Sequence, residues 1–153
     1  MAARSEISDL DFRMIELLFF AYRDFVGDAD TALEQYGFGR AHHRVLHFVM
    51  RQPDIAVADL LHILAITKQS LNPILRQLTE TGHLQMTSDP RDRRRRLLRL
   101  TGSGRNLALR LTQMQSGRIE RALEESGADA GERRTIEDFL FAMIEPDERG
   151  FVS

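Results

Sequence analysis

Between residues 89 and 105 seven arginines, Arg91, Arg93, Arg94, Arg95, Arg96, Arg99 and Arg105, face only Asp89 and Asp92, a local net charge of +5. Guanidinium groups are the side chains best suited to gripping phosphate oxygens and to entering a nucleic-acid groove. An isolated arginine run is usually solvated surface, so the flanking residues decide. Ser88-Asp89-Pro90 supplies turn chemistry, and the segments Leu84–Thr87 and Arg96–Leu100 are long enough for the strands of a small hairpin. Just upstream, Lys68, Gln69, Ser70, Asn72 and Arg76 place amides, a hydroxyl and two cations on one helical stretch. Gln and Asn can bond adenine bidentately, and Lys can donate to guanine or to phosphate. Three histidines, His42, His43 and His47, form the remaining cluster, with 43 and 47 sharing a helix face. Without cysteine or an adjacent carboxylate pair they make an incomplete closed zinc site. No nucleophile elbow, phosphate-binding glycine loop or carboxylate pair in an apolar setting is present, so the chain reads as no enzyme and needs no cofactor.

The elements that must position these groups are mostly helical. Ser8, with Asp11 three residues on, opens a long first helix whose Leu10, Met14, Leu17, Leu18, Ala21 and Phe25 recur at helical spacing to about Leu33. Ile15, Phe19, Phe20 and Tyr22 add apolar surface off that stripe, and a helix apolar on several sides must be covered from several sides. A second helix spans about Arg40 to Met50, Ile55-Ala56-Val57 form a short strand or extended lead-in, and Ala58 to Leu64 a third helix. Thr67 caps a fourth, which ends at Thr81 before Gly82. Pro73 lies inside it and lacks the backbone donor, so a start delayed to about Ser70, with Pro73 in the first turn, is expected. After the hairpin, a long helix runs to Ser126-Gly127. Asp129 with Glu132 then caps a last helix carrying Ile136, Phe139, Leu140 and Met143 and stopping before Pro146.

Two short helices joined by a tight turn and followed by a basic hairpin make a winged helix-turn-helix. The predicted fold is mainly α, with three helices and the small β-hairpin wing at 39–100. It is flanked by a dimerisation helix at 1–38 and dimerisation helices at 101–153, all in one compact domain with two lobes. Charge follows the same division: residues 40–105 carry twelve bases against five acids, while the other residues sum to -9. A basic middle between acidic ends suits a polyanion at one lobe only. At 153 residues and 42% hydrophobic the chain has enough apolar material for one core. Having no cysteine, it has no disulfide or thiolate chemistry. The absence of an apolar leader or spanning segment gives a cytoplasmic, non-membrane expectation.

Asp92-Arg93-Arg94 in the wing, followed by Leu100-Thr101 and Gly104, resembles the Asp-Arg-Arg and Leu-Thr-x-x-Gly of the MarR family of bacterial transcription regulators. Leu78 to Leu84 (LTETGHL) is similar to the end of that family's recognition helix and the start of its wing. The resemblance covers nearly the whole chain. It implies an obligate homodimer built by the terminal helices, binding to double-stranded DNA at a pseudo-palindromic operator, repression or sometimes activation, and release by a small ligand. On this pattern Lys68, Gln69, Ser70 and Asn72 face the major groove, Arg76 one or two turns on reaches phosphate or pairs with an acidic neighbour, and Arg91, Arg93 and Arg94 meet phosphate or the minor groove. Asp92, which gains nothing by facing DNA, supports the wing through an ion pair to one of these arginines. His42 and His43 fall where the family's ligand cleft meets the second helix, so they are candidates for contacting a small aromatic or anionic effector. A packed or interface histidine is the competing reading. Two other functions stay open: a wing that binds RNA or a protein partner, and a metal-responsive regulator built on His42, His43 and His47.

Overall fold

The computed structural model describes residues 10–152. Helix α1 (Phe12–Leu33) starts at Asp11, whose carboxylate accepts from the Met14 N–H at 3.0 Å; the expected cap at Ser8 lies outside the described residues. Only the last two turns of α1 face the core, through Val26, Ala29 and Leu33. The first half of its apolar surface, including Phe12, Ile15, Phe19, Phe20 and Tyr22, stays exposed, Phe19 by 70%. A short 3₁₀ helix (Glu34–Tyr36) and Gly37, in the left-handed region at φ 69°, turn the chain into α2 (Arg40–Arg51).

Strand β1 (Ile55–Ala56), helix α3 (Val57–Leu64) and helix α4 (Lys68–Glu80) follow. Helix α4 runs through Pro73 without interruption, which corrects the expected start near Ser70. The Thr67 hydroxyl accepts from the Ser70 N–H at 3.1 Å, so the helix is capped from Lys68 onward. Proline removes one bond, to the carbonyl of Gln69 four residues back. Both residues are exposed, so water can satisfy that carbonyl.

Gly82, at φ 78°, ends α4 and leads into β2 (Leu84–Asp89) and β3 (Asp92–Leu100). The three strands form an antiparallel sheet in the order β1-β3-β2. The wing is longer than the sequence suggests: its turn is Pro90-Arg91 between the paired Asp89 and Asp92, not Ser88-Asp89-Pro90. The ladder is regular from Leu84↔Leu100 to Ser88↔Arg96 and then shifts, leaving Arg93, Arg94 and Arg95 with no residue opposite them.

Helix α5 (Gly102–Ser126) ends at Gly127, in the left-handed region, and Asp129 with Glu132 forms the expected capping box of α6 (Ala130–Met143). A 3₁₀ turn (Pro146–Phe151), not foreseen from the sequence, closes the described chain. Leu33 of α1, Val45, Leu46 and Val49 of α2, Leu71 and Leu78 of α4, Leu98 of β3 and Leu111 of α5 share one core. No residue of α6 is buried. No helix among the described residues is long and apolar enough to cross a membrane.

Candidate nucleic-acid interface

Helix α4 buries Leu71, Leu75 and Leu78, and this fixes which side of it faces out. Lys68, Gln69, Ser70, Asn72 and Arg76 are all exposed. Between α4 and the wing lies an open groove of about 760 Å³ lined by Lys68, Asn72 and Arg76 on one side and Arg94, Arg95 and Arg96 on the other. Val57, Ala58 and Leu61 of α3 floor it. Two stretches of sequence that the chain separates by the end of α4 and the whole of β2 thus converge on one basic trough. Gln69 and Ser70 lie outside its lining, as do Arg91 and Arg93. The Ser70 hydroxyl accepts from Thr67 Oγ1 at 2.9 Å, so it serves the cap first.

Ion pairs sort the arginine run. Arg99 makes a two-pronged contact with Asp54, its Nε at 3.1 Å and its Nη2 at 2.5 Å. Arg95 reaches Asp59 of α3 at 2.9 Å and Asp89 at 3.9 Å. Arg96 points its Nη1 at Met86 Sδ. Asp92 Oδ1 accepts from the Arg94 N–H at 3.1 Å and lies 3.7 Å from its Nε. Lys68, Gln69, Asn72, Arg76, Arg91 and Arg93 make no side-chain hydrogen bond or ion pair among the described residues. These unengaged donors are the ones available to a ligand.

The wing root is held by residues whose roles the sequence motif leaves unexplained. Thr101 caps α5 by accepting from Gly104 N–H at 3.1 Å, donates its hydroxyl hydrogen to the Gly82 carbonyl, and donates its N–H to the His83 carbonyl at 3.1 Å. A Cβ on Gly104 would stand 1.9 Å from that same His83 oxygen. The Leu-Thr-x-x-Gly pattern is therefore the joint that locks α4, the wing and α5 together. Its signal in the sequence is a threonine three residues before a glycine.

The histidines are packed. His42 Nδ1 accepts from Gly39 N–H at 3.0 Å, which leaves the proton on Nε2 to donate to Gln77 Oε1 at 2.7 Å. Its ring stacks on Phe38 with centroids 4.7 Å apart. His42 therefore ties α2 to α4. His43 is buried, and among the described residues no group of three His, Cys, Asp or Glu is placed to hold a metal ion.

Burial lowers the pKa of His43, helped by His47 and opposed by Asp30; burial also lowers that of His47, beside Arg51, and that of His83. An unfolded histidine takes its proton near 6.5, the folded ones only at lower pH. The linked stability is therefore complete above about pH 6.5 and is lost as pH falls through the folded values. Thermal melts should show a lower Tm at about pH 5.5 than at about pH 7.5, on either side of the unfolded value; a flat profile would contradict this.

A helix-turn-helix whose second helix shares an open basic trough with a β-hairpin defines the class of winged-helix DNA-binding proteins. A sequence profile of the MarR family matches residues 36–95. The chain is 42% identical over 137 residues to the HTH-type transcriptional regulator PetP of Rhodobacter capsulatus, covering 88% of this chain and 80% of that protein. Its fold is similar to that of FabT of Streptococcus pneumoniae in complex with DNA, at TM-score 0.74 and 17% identity over 86% of this chain and 92% of that one. It is also similar to the PcaV regulator of Streptomyces coelicolor in complex with its natural ligand, at TM-score 0.61 and 18% identity over 88% and 91%. The chain belongs to the MarR family and is a transcription regulator, not an enzyme.

Proposed function

We propose that the protein acts as a homodimer on a pseudo-palindromic duplex operator and represses nearby genes until a small ligand releases it. The observation that carries the DNA reading is the trough between α4 and the wing, with unengaged Lys68, Asn72 and Arg76 along its wall. In this reading Lys68, Gln69, Ser70 and Asn72 read base edges or phosphates from the N-terminal half of the recognition helix, and Arg76 grips phosphate. Arg91, Arg93 and Arg94 carry the wing into the minor groove or along the backbone, with Asp92 steadying Arg94. Residues 39–100 are the DNA-binding lobe, and 1–38 with 101–153 the dimerisation lobe. The test is selection from genomic DNA: the protein should enrich a few duplexes containing related inverted half-sites, whereas equal recovery of all fragments, or a preference for RNA, would count against it.

The dimer rests on apolar surface that one chain leaves uncovered. Phe12, Ile15, Phe19 and Phe20 on α1 and Ile136, Phe139, Leu140 and Met143 on α6 are each more than two-fifths exposed. Exposed apolar faces of that kind mark association sites, and an obligate dimer has little stable monomer. Removal of residues 131–153 is expected to unfold the chain along with separating the subunits. A folded monomeric 1–130 fragment in sedimentation would overturn the dimer.

PcaV was solved with its natural ligand, and release by a small aromatic or anionic molecule near His42 and His43 is the corresponding proposal here. Such a ligand must bind better to the form whose half-site spacing does not fit DNA. Since His42 bridges to Gln77 of the recognition helix, displacing that bond would reach α4 directly. At least one member of a panel of aromatic acids should lower operator affinity and raise Tm. No change in either across the panel would sink this part.

A further inference from the structure

The wing tip carries the cations proposed for DNA contact, and beyond Ser88↔Arg96 the β-ladder closes it only through the Asp89↔Asp92 pair. Pairing stops being regular after Ser88↔Arg96, and Arg93, Arg94 and Arg95 have no partner strand residue. Arg95 is the last of the three before the ladder resumes. Its guanidinium reaches out of the hairpin to Asp59, 36 positions away on α3, and back to Asp89 on β2. One cation thus joins both strands of the wing to the body of the helix-turn-helix.

We propose that Arg95 is a positioning residue that anchors the wing tip to α3 through Asp59, and is not itself one of the groups that grip DNA; this rests on the DNA reading above. The charges agree with that division. Asp59 and Asp89 stand near a trough that must accept a polyanion, where bare carboxylates would repel it. Arg95 neutralises them and so cannot give its full charge to a phosphate. Arg91 and Arg93 make no ion pair among the described residues and sit on the segment that the anchor steadies. An exposed pair of this kind adds little to global stability. Its effect is on how often the tip stands where Arg91, Arg93 and Arg94 can be used, and apparent affinity scales with that fraction.

The test uses the full-length protein with and without DNA. Because the chain has no cysteine, an Arg91→Cys substitution takes a single nitroxide label at the tip. In DNA-free protein, Arg95→Ala and Asp59→Ala should each give a narrower, more mobile spin-label spectrum with Tm nearly unchanged, and Arg95→Lys should retain most of the immobilisation. Without the label, Arg95→Ala and Asp59→Ala should each weaken binding to a duplex selected from genomic DNA by roughly tenfold, the expectation if both tips of the dimer are correctly placed together about a tenth of the time. The double variant should be no worse than Arg95→Ala, and the salt slope should stay at the wild-type value. An unchanged spectrum refutes the anchor whatever happens with DNA. Tighter binding by Asp59→Ala, or a smaller salt slope for Arg95→Ala, refutes it too, because Arg95 would then be a phosphate contact. If the wild-type protein selects no duplex while the spectra change as described, the anchor stands and the DNA reading falls.

Discussion

Gly104→Ala should lower Tm by roughly 6–12 °C, the shift that about 3 kcal/mol of overpacking gives in a chain of this size. The added methyl would lie 1.9 Å from the His83 carbonyl oxygen. That oxygen belongs to backbone and already accepts from Thr101 N–H, so it has little room to retreat. Gly102→Ala is the matched control, because a Cβ there meets nothing within 4 Å; it should leave Tm unchanged or raise it slightly. Thr101→Ala should fall between, costing about 1 kcal/mol through loss of the cap and more through loss of the bond to Gly82. An unchanged melt for Gly104→Ala would show that the wing root is looser than this packing implies.

Arg94→Ala and the recognition-helix variants should differ in the form of their effects on DNA. On the proposed reading the Arg94 substitution should remove one phosphate or minor-groove cation per subunit. The slope of log affinity against log salt should shrink by about 0.9 for each phosphate that is no longer neutralised, with weaker binding to all sequences. Narrow A-tract grooves should suffer more if the side chain inserts. Gln69→Ala or Asn72→Ala should cost about 1–3 kcal/mol for each base no longer bonded and relax preference at particular base pairs. Neither side chain is charged, so the salt slope should hardly move. On the proposed reading Asp92→Ala should behave like the wing variant, since the Asp92 carboxylate accepts from the Arg94 N–H and lies 3.7 Å from its Nε. If Asp92→Ala instead tightens binding, Asp92 is only a repulsive charge and the support role fails.

The elements are legible in the sequence because their signals are local. Apolar spacing marks α1, α2, α4 and α5; Thr67 and Asp129 cap helices where their residue types say they should, and Gly82 and Gly127 end them. Pro73 misleads because propensity counts its missing bond but not the exposed site where water can replace it. Ser-Asp-Pro carries strong turn chemistry and so points to a wing turn earlier than the real one. The strands instead pair through Asp89 and Asp92, and the irregular register absorbs three arginines. On α1 the apolar stripe is visible from spacing, yet spacing cannot say that the chain covers only Val26, Ala29 and Leu33.

Of the site, the charged and amide residues of α4 and the wing can be named from their types. Their sorting cannot. Arg95 and Arg99 are withdrawn by carboxylates 36 and 45 positions away, and no local pattern encodes that separation. His42 is legible as a histidine on a helix, but its use depends on Phe38 folding back from the preceding loop and on Gln77 arriving from α4. Gly104 stands in a family pattern without a reason until the His83 carbonyl supplies one.

The most direct measurement is a hydroxyl-radical footprint of the wild-type protein on a duplex it selects from genomic DNA. Two related protected half-sites should appear, centred about one helical turn or roughly 34 Å apart or a multiple of it. Protection should also extend outward where the wings reach the flanking backbone, and Arg94→Ala should remove that outer protection alone. A single unpaired protected patch, or protection with no sequence shared between selected duplexes, would contradict a dimer that reads a two-half-site operator.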